Sequence, residues 1–241
     1  MTTKNFEPDD RQNRIIDEAY RSAEIAAVEG RHARDGLVER MSQEIDSIGA
    51  NPKISTGNEP RPRPTVFLDI DDVLSLNELY GGLDVQRAMA NPSRAPRDLY
   101  QKLFSPVAVS ALNELILEFN PRVVMTSSWM ALLQREHFID LFQKTGVSIP
   151  ESSLHPNWDA QQDYGTSRLD AIERWLKLHH SGEPIVVIDD YSSGESLVES
   201  LWHESGHVVL CEIDGGFNQF LLQAARSALR KPFNPMQPWV K

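Results

Sequence analysis

The residues Thr65-Val66-Phe67-Leu68-Asp69-Ile70-Asp71-Asp72 form an apolar run that empties into three carboxylates. Four consecutive apolar or β-favouring residues read as a buried parallel strand, and open α/β sheets place their sites at the carboxyl ends of such strands. Period-two alternation puts Asp69 and Asp71 on one side, where two negative charges converge on a small volume. A hard cation such as Mg²⁺ is the guest that relieves their repulsion. The pattern returns at Pro184-Ile185-Val186-Val187-Ile188-Asp189-Asp190, and between the two lies Arg122-Val123-Val124-Met125-Thr126-Ser127-Ser128-Trp129, a third apolar strand that ends in hydroxyls. Hydroxyls together with free backbone N–H groups at the start of a helix suit a phosphate. The seven histidines show no metal-ligand spacing, since His179 and His180 are adjacent and diverge on a helix while the others are isolated. Gly81-Gly82 and Gly215-Gly216 lack the strand-to-helix context of a nucleotide-binding glycine fingerprint.

Asp69-x-Asp71, then a strand ending in Thr126-Ser127, then a strand ending in Asp189-Asp190 resembles, in that order, the haloacid dehalogenase (HAD) superfamily of aspartate-nucleophile phosphatases and phosphotransferases. A lone Asp-x-Asp is a weak signal; three strands that each end in the right chemistry are a strong one. The resemblance covers about residues 64 to 217, and the Thr126-Ser127-Ser128-Trp129 turn with Gly215-Gly216-Phe217 looks closest to the HAD domains of RNA-repair proteins. It implies a three-layer, Rossmann-like α/β fold with a mainly parallel five-stranded sheet and a small cap. It further implies that Asp69 attacks phosphorus to form an aspartyl-phosphate, and that Asp71 protonates the leaving oxygen and then activates water. Thr126 and the backbone N–H of Ser127 would hold the phosphoryl group. Mg²⁺ would be held by Asp69, the backbone carbonyl of Asp71 and one or both of Asp189 and Asp190. Asp72 turns away from its neighbours and takes a loop hydrogen bond, while Ser128 and Trp129 serve helix entry and packing.

The superfamily also supplies a cation near the start of the helix that precedes the acidic strand. Arg168 fills that place, because helix N-termini in this architecture face the site. Lys177, nine residues later, is carried about 13 Å toward the opposite edge of the sheet. A substrate phosphomonoester is implied, on a small molecule, a nucleotide or a nucleic-acid end. A receiver domain, which also uses an acidic pair, would need its acceptor aspartate at the end of the middle strand, where this chain has Thr126.

Strands alternate with helical patterns along residues 65 to 232, as a three-layer parallel α/β domain requires. Residues 75 to 103 interrupt that rhythm with Gly81-Gly82, Asn91-Pro92 and Ala95-Pro96, and the resemblance places a small cap there. Its Arg87, Arg94 and Arg97 either grip a substrate phosphate or solvate a loop. Ser105-Pro106 opens a helix whose stripe is Val109, Leu112, Ile116 and Phe119. Further helices are expected over about 130–143, 167–180, 195–204 and 218–230, with strands at 146–149, 185–189 and 207–213 and a loop at 151–165.

Residues 1 to 48 carry Ile15, Ala19, Ala23 and Ala26, then Leu37, Met41, Ile45 and Ile48, at helical spacing. These narrow stripes need a cover, either the catalytic domain or, as a dimerising or partner-binding hairpin, a second copy or another protein. An interaction module that uses these helices, with a residual acid cluster, is the alternative to an enzyme. Residues 49–64, rich in Pro, Gly and Asn, read as a linker, and 233–241 as a tail. The 241 residues suffice for a core, the single Cys211 excludes an intramolecular disulfide, and the net charge of −11 argues against a broad nucleic-acid surface. With no apolar stretch of spanning length and no apolar leader after Met1, the expectation is a cytoplasmic protein without a membrane partner.

Overall fold

A computed structural model describes residues 62–233 apart from 77, 78 and 199; the helical stripes and the linker before residue 62 and the tail after 233 lie outside the described residues. The strands are β1 Thr65–Leu68, β2 Arg122–Met125, β3 Leu154–Asp159, β4 Ile185–Asp190 and β5 Val208–Cys211. They form one sheet in the order β3-β2-β1-β4-β5, and every pairing is parallel. The helices are α1 Gly82–Ala90, α2 Leu99–Lys102, α3 Pro106–Phe119, α4 Arg135–Thr145, α5 Arg168–His179, α6 Leu201–Glu204 and α7 Gln219–Arg230.

The central strands are Val- and Ile-rich because both sheet faces are covered, and every residue of β1, β4 and β5 is buried. Alternation divides them cleanly. Val66, Leu68, Val123, Met125, Val186 and Ile188 join the core built with α1, α3, α4 and α7. Phe67, Val124, Ile185 and Val187 join the core on the other face, under Ile172, Trp175 and Leu176 of α5. Each such side chain contributes about 1.5–3 kcal/mol by leaving water. In α3 the buried stripe is Ala108, Ala111, Leu112, Leu115 and Ile116, so Val109 and Phe119 sit at its margin. Ser105 precedes Pro106 as expected, but its hydroxyl makes no capping bond; its backbone N–H donates to Leu74 O at 2.8 Å.

Four expected elements differ. Residues 146–149 form no strand: Gly146 ends α4 in the left-handed region at φ 78°, and Val147 and Ile149 are buried without a ladder. The fifth strand is β3, in a stretch that reads as a loop because its Pro156-Asn157 centre is exposed at the sheet edge, where proline's missing N–H is tolerated. Its pairing with β2 is irregular, Val123 facing Leu154 and Met125 facing Asp159. The helix expected over 130–143 is a 3-10 turn, Ser128–Ala131, followed by α4, and that expected over 195–204 is a 3-10 turn, Glu195–Leu197, followed by the single turn α6. Among its described residues the 75–103 insert carries α1, a 3-10 turn at Pro92–Arg94 and α2. No helix among the described residues is long and apolar enough to cross a membrane.

Candidate active site

Register aligns the three strand ends. Leu68 pairs with both Met125 and Ile188, so Asp69, Thr126 and Asp189 are each the next residue on neighbouring strands. The backbone continues that alignment: Asp69 N–H donates to Ile188 O and Thr126 N–H to Leu68 O, both at 3.0 Å. All three continue the alternation of Phe67, Val124 and Val187, which faces α5. The start of α5 is fixed by a reciprocal cap in which Asp170 N–H donates to Ser167 Oγ at 3.1 Å and Ser167 N–H to Asp170 Oδ2 at 2.9 Å. The next residue, Arg168, is 5% exposed. Its Nε lies 2.9 Å from Asp189 Oδ2 and a terminal nitrogen 3.7 Å from Asp69 Oδ2. The closer contact is an ion pair without hydrogen-bond alignment, since neither atom of that pair has a hydrogen-bond partner.

Asp69, Asp189 and Asp190 are buried, with one carboxylate oxygen from each lying within 4.8 Å of the others. Both oxygens of Asp69, Oδ2 of Asp189 and Oδ2 of Asp190 accept no hydrogen bond, and Thr126 Oγ1 is likewise without a partner. Buried carboxylates left this way are costly unless a ligand completes them. Burial first, then the charge of Asp189, raises the Asp69 carboxyl well above the usual carboxylate range, with Arg168 opposing. Asp189 is pushed up to about 7, chiefly by burial, with Arg168 opposing and Asp190 adding to the rise. Oxygen donors, three acids and one cation too few to neutralise them fit a hard divalent cation.

Asp190 is held from the loop beyond it, its Oδ1 accepting from Ser192 N–H at 2.6 Å and Ser193 N–H at 2.9 Å. Asp71 is placed differently from the expectation. The strand ends at Leu68, and Ile70 O accepts from the backbone N–H groups of Val73, Leu74 and Ser75, winding residues 70–75 into a tight loop. Strand alternation therefore does not reach Asp71, and its carboxylate is absent from the cluster. It accepts instead from Trp129 Nε1, 3.0 Å from each oxygen, and from Ser128 Oγ at 3.1 Å. Asp72 takes the left-handed conformation, φ 53°, and burial followed by the charge of Asp190 raises its carboxyl.

The Gly215-Gly216-Phe217 segment braces this loop: Phe217 N–H donates to Val73 O at 2.9 Å, and a Cβ on Gly216 would stand 3.1 Å from that same oxygen. A cleft of about 610 Å³ opens beside the acids, lined by Thr126, Ser127, Ser128, Ser167, Arg168 and Ser192 among others. Arg87, Arg94 and Arg97 do not line it. All three are exposed, and Arg87 pairs with Asp84 at 3.5 Å. Lys177 is exposed on the third turn of α5. What the sequence did not disclose is the role of Ser128 and Trp129 against Asp71 and of the Ser192 and Ser193 amides against Asp190. The polar bidentate reach of an indole N–H has no sequence pattern, whereas Asp190-x-Ser192-Ser193 is a readable turn signal.

The parallel sheet, the aligned Asp, Thr and Asp strand ends and the arginine at the start of α5 define a domain of the HAD superfamily. A family model described as the HAD domain in Swiss Army Knife RNA repair proteins matches residues 65–220, and the chain belongs to that family. No curated protein and no solved structure matches.

Proposed function

We propose that the protein is a Mg²⁺-dependent phosphohydrolase that cleaves a phosphomonoester through an aspartyl-phosphate on Asp69. The observation that carries this reading is the aligned set of buried oxygens without a hydrogen-bond partner, namely both oxygens of Asp69, Thr126 Oγ1 and Oδ2 of Asp189 and of Asp190, with one buried arginine beside Asp69 and Asp189. Asp69 makes no aligned hydrogen bond and faces the Arg168 guanidinium at 3.7 Å, which leaves its carboxylate as the group to attack phosphorus. Thr126 Oγ1 and the Ser127 backbone N–H hold the transferring group, and Arg168 balances the charge on its oxygens. Asp71 gives a proton to the leaving oxygen and then takes one from the water that hydrolyses the intermediate. Asp69, Asp189 and Asp190 would hold Mg²⁺, which supplies charge stabilisation to the non-bridging oxygens.

A nucleotide or nucleic-acid end is the proposed phosphate donor. The family description supports this, as do hydroxyl groups along the cleft suited to a ribose. Tyr164 is fully exposed and Tyr191 is 41% exposed; each lies on a loop that contributes to the cleft wall and offers a stacking face for a base. With Arg168 the sole cation lining the cleft among the described residues, recognition is expected to centre on one terminal phosphate rather than on a long backbone track. A cytoplasmic setting suits such a substrate.

The test is release of phosphate from p-nitrophenyl phosphate, mononucleotides and 3′- or 5′-phosphorylated oligonucleotides, with Mg²⁺ and with chelator, by wild type and Asp69→Asn. Wild type is expected to turn over at least one nucleotide substrate with Mg²⁺ only, and the variant less than about a hundredth as fast. Equal activity of the two would overturn the assignment of Asp69.

A further inference from the structure

We propose that Trp129 is the positioning residue for Asp71, and that the first residue of the inserted helix α1, Gly82, is glycine so that the Trp129 ring can lie close enough to do this. The inference rests on the phosphohydrolase reading above. Asp71 lies beyond the end of β1, so no strand ladder sets its direction. Its side chain is fixed instead from one partner segment. The Trp129 indole N–H donates to both oxygens at 3.0 Å, and the Ser128 hydroxyl donates to Oδ2 at 3.1 Å. An indole N–H donates without being able to accept, and the ring that carries it is 2% exposed, so the donor is held in place rather than free to rotate to water. Its own backbone N–H donates to Ser127 Oγ at 3.3 Å, tying this turn to the residue beside Thr126.

The ring is wedged as well as bonded. A Cβ built on Gly82 would stand 3.0 Å from Trp129 Cε2 and 3.1 Å from Cδ2, and Phe104 flanks the ring at a centroid distance of 6.2 Å. The insert thus bears on one part of the indole while the N–H edge holds Asp71. A displacement of the ring by a few tenths of an ångström moves the donor and, with it, the carboxylate. In the first chemical step the Asp69 oxygen–phosphorus bond forms, the phosphorus–leaving-oxygen bond breaks, and the proton on Asp71 goes to the leaving oxygen. In the second, Asp71 takes a proton from water as that water displaces Asp69 and releases inorganic phosphate. Misplacing Asp71 harms the first step most when the leaving group is an alkoxide, which needs the proton, and least when it is nitrophenolate, which does not.

The experiment compares kcat/KM for an alkyl phosphomonoester and for p-nitrophenyl phosphate in wild type, Trp129→Phe, Ser128→Ala and Gly82→Ala, with matched thermal unfolding curves. The ratio reports the step in which the leaving group departs. Trp129→Phe keeps an aromatic ring and removes the N–H. It is expected to lower the alkyl value by about tenfold or more relative to the aryl value, with Ser128→Ala and Gly82→Ala moving the same ratio by smaller factors. Losses that are equal on both substrates, or none, would overturn the positioning role. A wild-type protein inert on every phosphomonoester would instead overturn the functional reading on which it rests. A second readout is independent of turnover: the Trp129 indole N–H resonance, assigned by its disappearance in Trp129→Phe, is expected to shift and exchange faster with water in Asp71→Ala. A resonance indifferent to Asp71→Ala contradicts the contact itself.

Discussion

In the metal-free protein three carboxylates share one buried volume with a single arginine, and the consequence for stability can be worked from Asp189. Its carboxyl sits at about 7 in the fold against an ordinary value of 3.8, with burial the leading cause. The folded protein therefore binds that proton more tightly than the unfolded chain, so stability is lost as pH rises from about 4 through about 7 and regained on acidification. At ~1.4 kcal/mol per tenfold change in proton affinity, an ionised Asp189 lowers the stability of the metal-free protein at pH 7.5 by on the order of 4 kcal/mol. Asp69 shifts in the same direction.

His155 and His207 act oppositely, since burial lowers both and their contribution falls as the solution becomes more acidic than about pH 6.5. The site is isolated by comparing wild type with Asp189→Asn in chelator, by urea unfolding at pH 7.5 and at pH 5. The variant is expected to be more stable than wild type at pH 7.5 by about 1–4 kcal/mol, which is several degrees in Tm for a chain of this size, and the gap should shrink at pH 5. Saturating Mg²⁺ should raise wild type by about 2–4 kcal/mol at pH 7.5 and by much less at pH 5. If Asp189→Asn is destabilised equally at both pH values and Mg²⁺ changes nothing, Asp189 is a satisfied partner of Arg168 and the reasoning fails.

Arg168→Ala should lower turnover by about a hundredfold to a thousandfold, the scale of removing one preorganised charge from a water-poor site, while Lys177→Ala on the exposed face of α5 leaves it near wild type; steady-state kinetics on folded variants decides between them. Tyr164→Ala should reduce kcat/KM for a nucleotide substrate by about tenfold through lost base stacking and leave p-nitrophenyl phosphate hydrolysis unchanged, which a parallel loss on both substrates would contradict. Gly216→Ala places a Cβ 3.0 Å from Leu76 Cδ2 and 3.1 Å from Val73 O at φ +57°, so a stability loss of about 1–3 kcal/mol is expected by denaturant titration.

The parts of this molecule that are legible in its amino-acid sequence are those in which one local rule decides. Val- and Ile-rich strands that must be buried on both faces announce themselves, and their last residues announce the site, so Asp69, Thr126, Asp189 and Asp190 are legible from strand ends alone. The start of α5, and hence Arg168, is legible from Ser167 and its reciprocal partner Asp170. β3 is not, because an edge strand with one buried residue at its start carries no apolar signal, and the buried Val147 and Ile149 nearby imitate one. Asp71 misleads for a related reason. Alternation predicts its direction only while the chain remains a strand, and the three amides gathered on Ile70 O end the strand before Asp71 is reached. The arginines of the insert illustrate the converse, since charge in a lid-like segment says nothing about which way it faces.

The central claim is covalent catalysis by Asp69, and rapid-quench labelling tests it most directly. Asp71→Asn is mixed with a radiolabelled phosphomonoester carrying a good leaving group and Mg²⁺, quenched in acid within the first turnover, digested and mapped. Label is expected on the peptide that contains Asp69, lost on treatment with hydroxylamine and absent from the Asp69→Asn, Asp71→Asn double variant. Stoichiometric phosphate release by wild type with no acid-stable label on Asp69 in any variant would contradict it and favour direct attack by water.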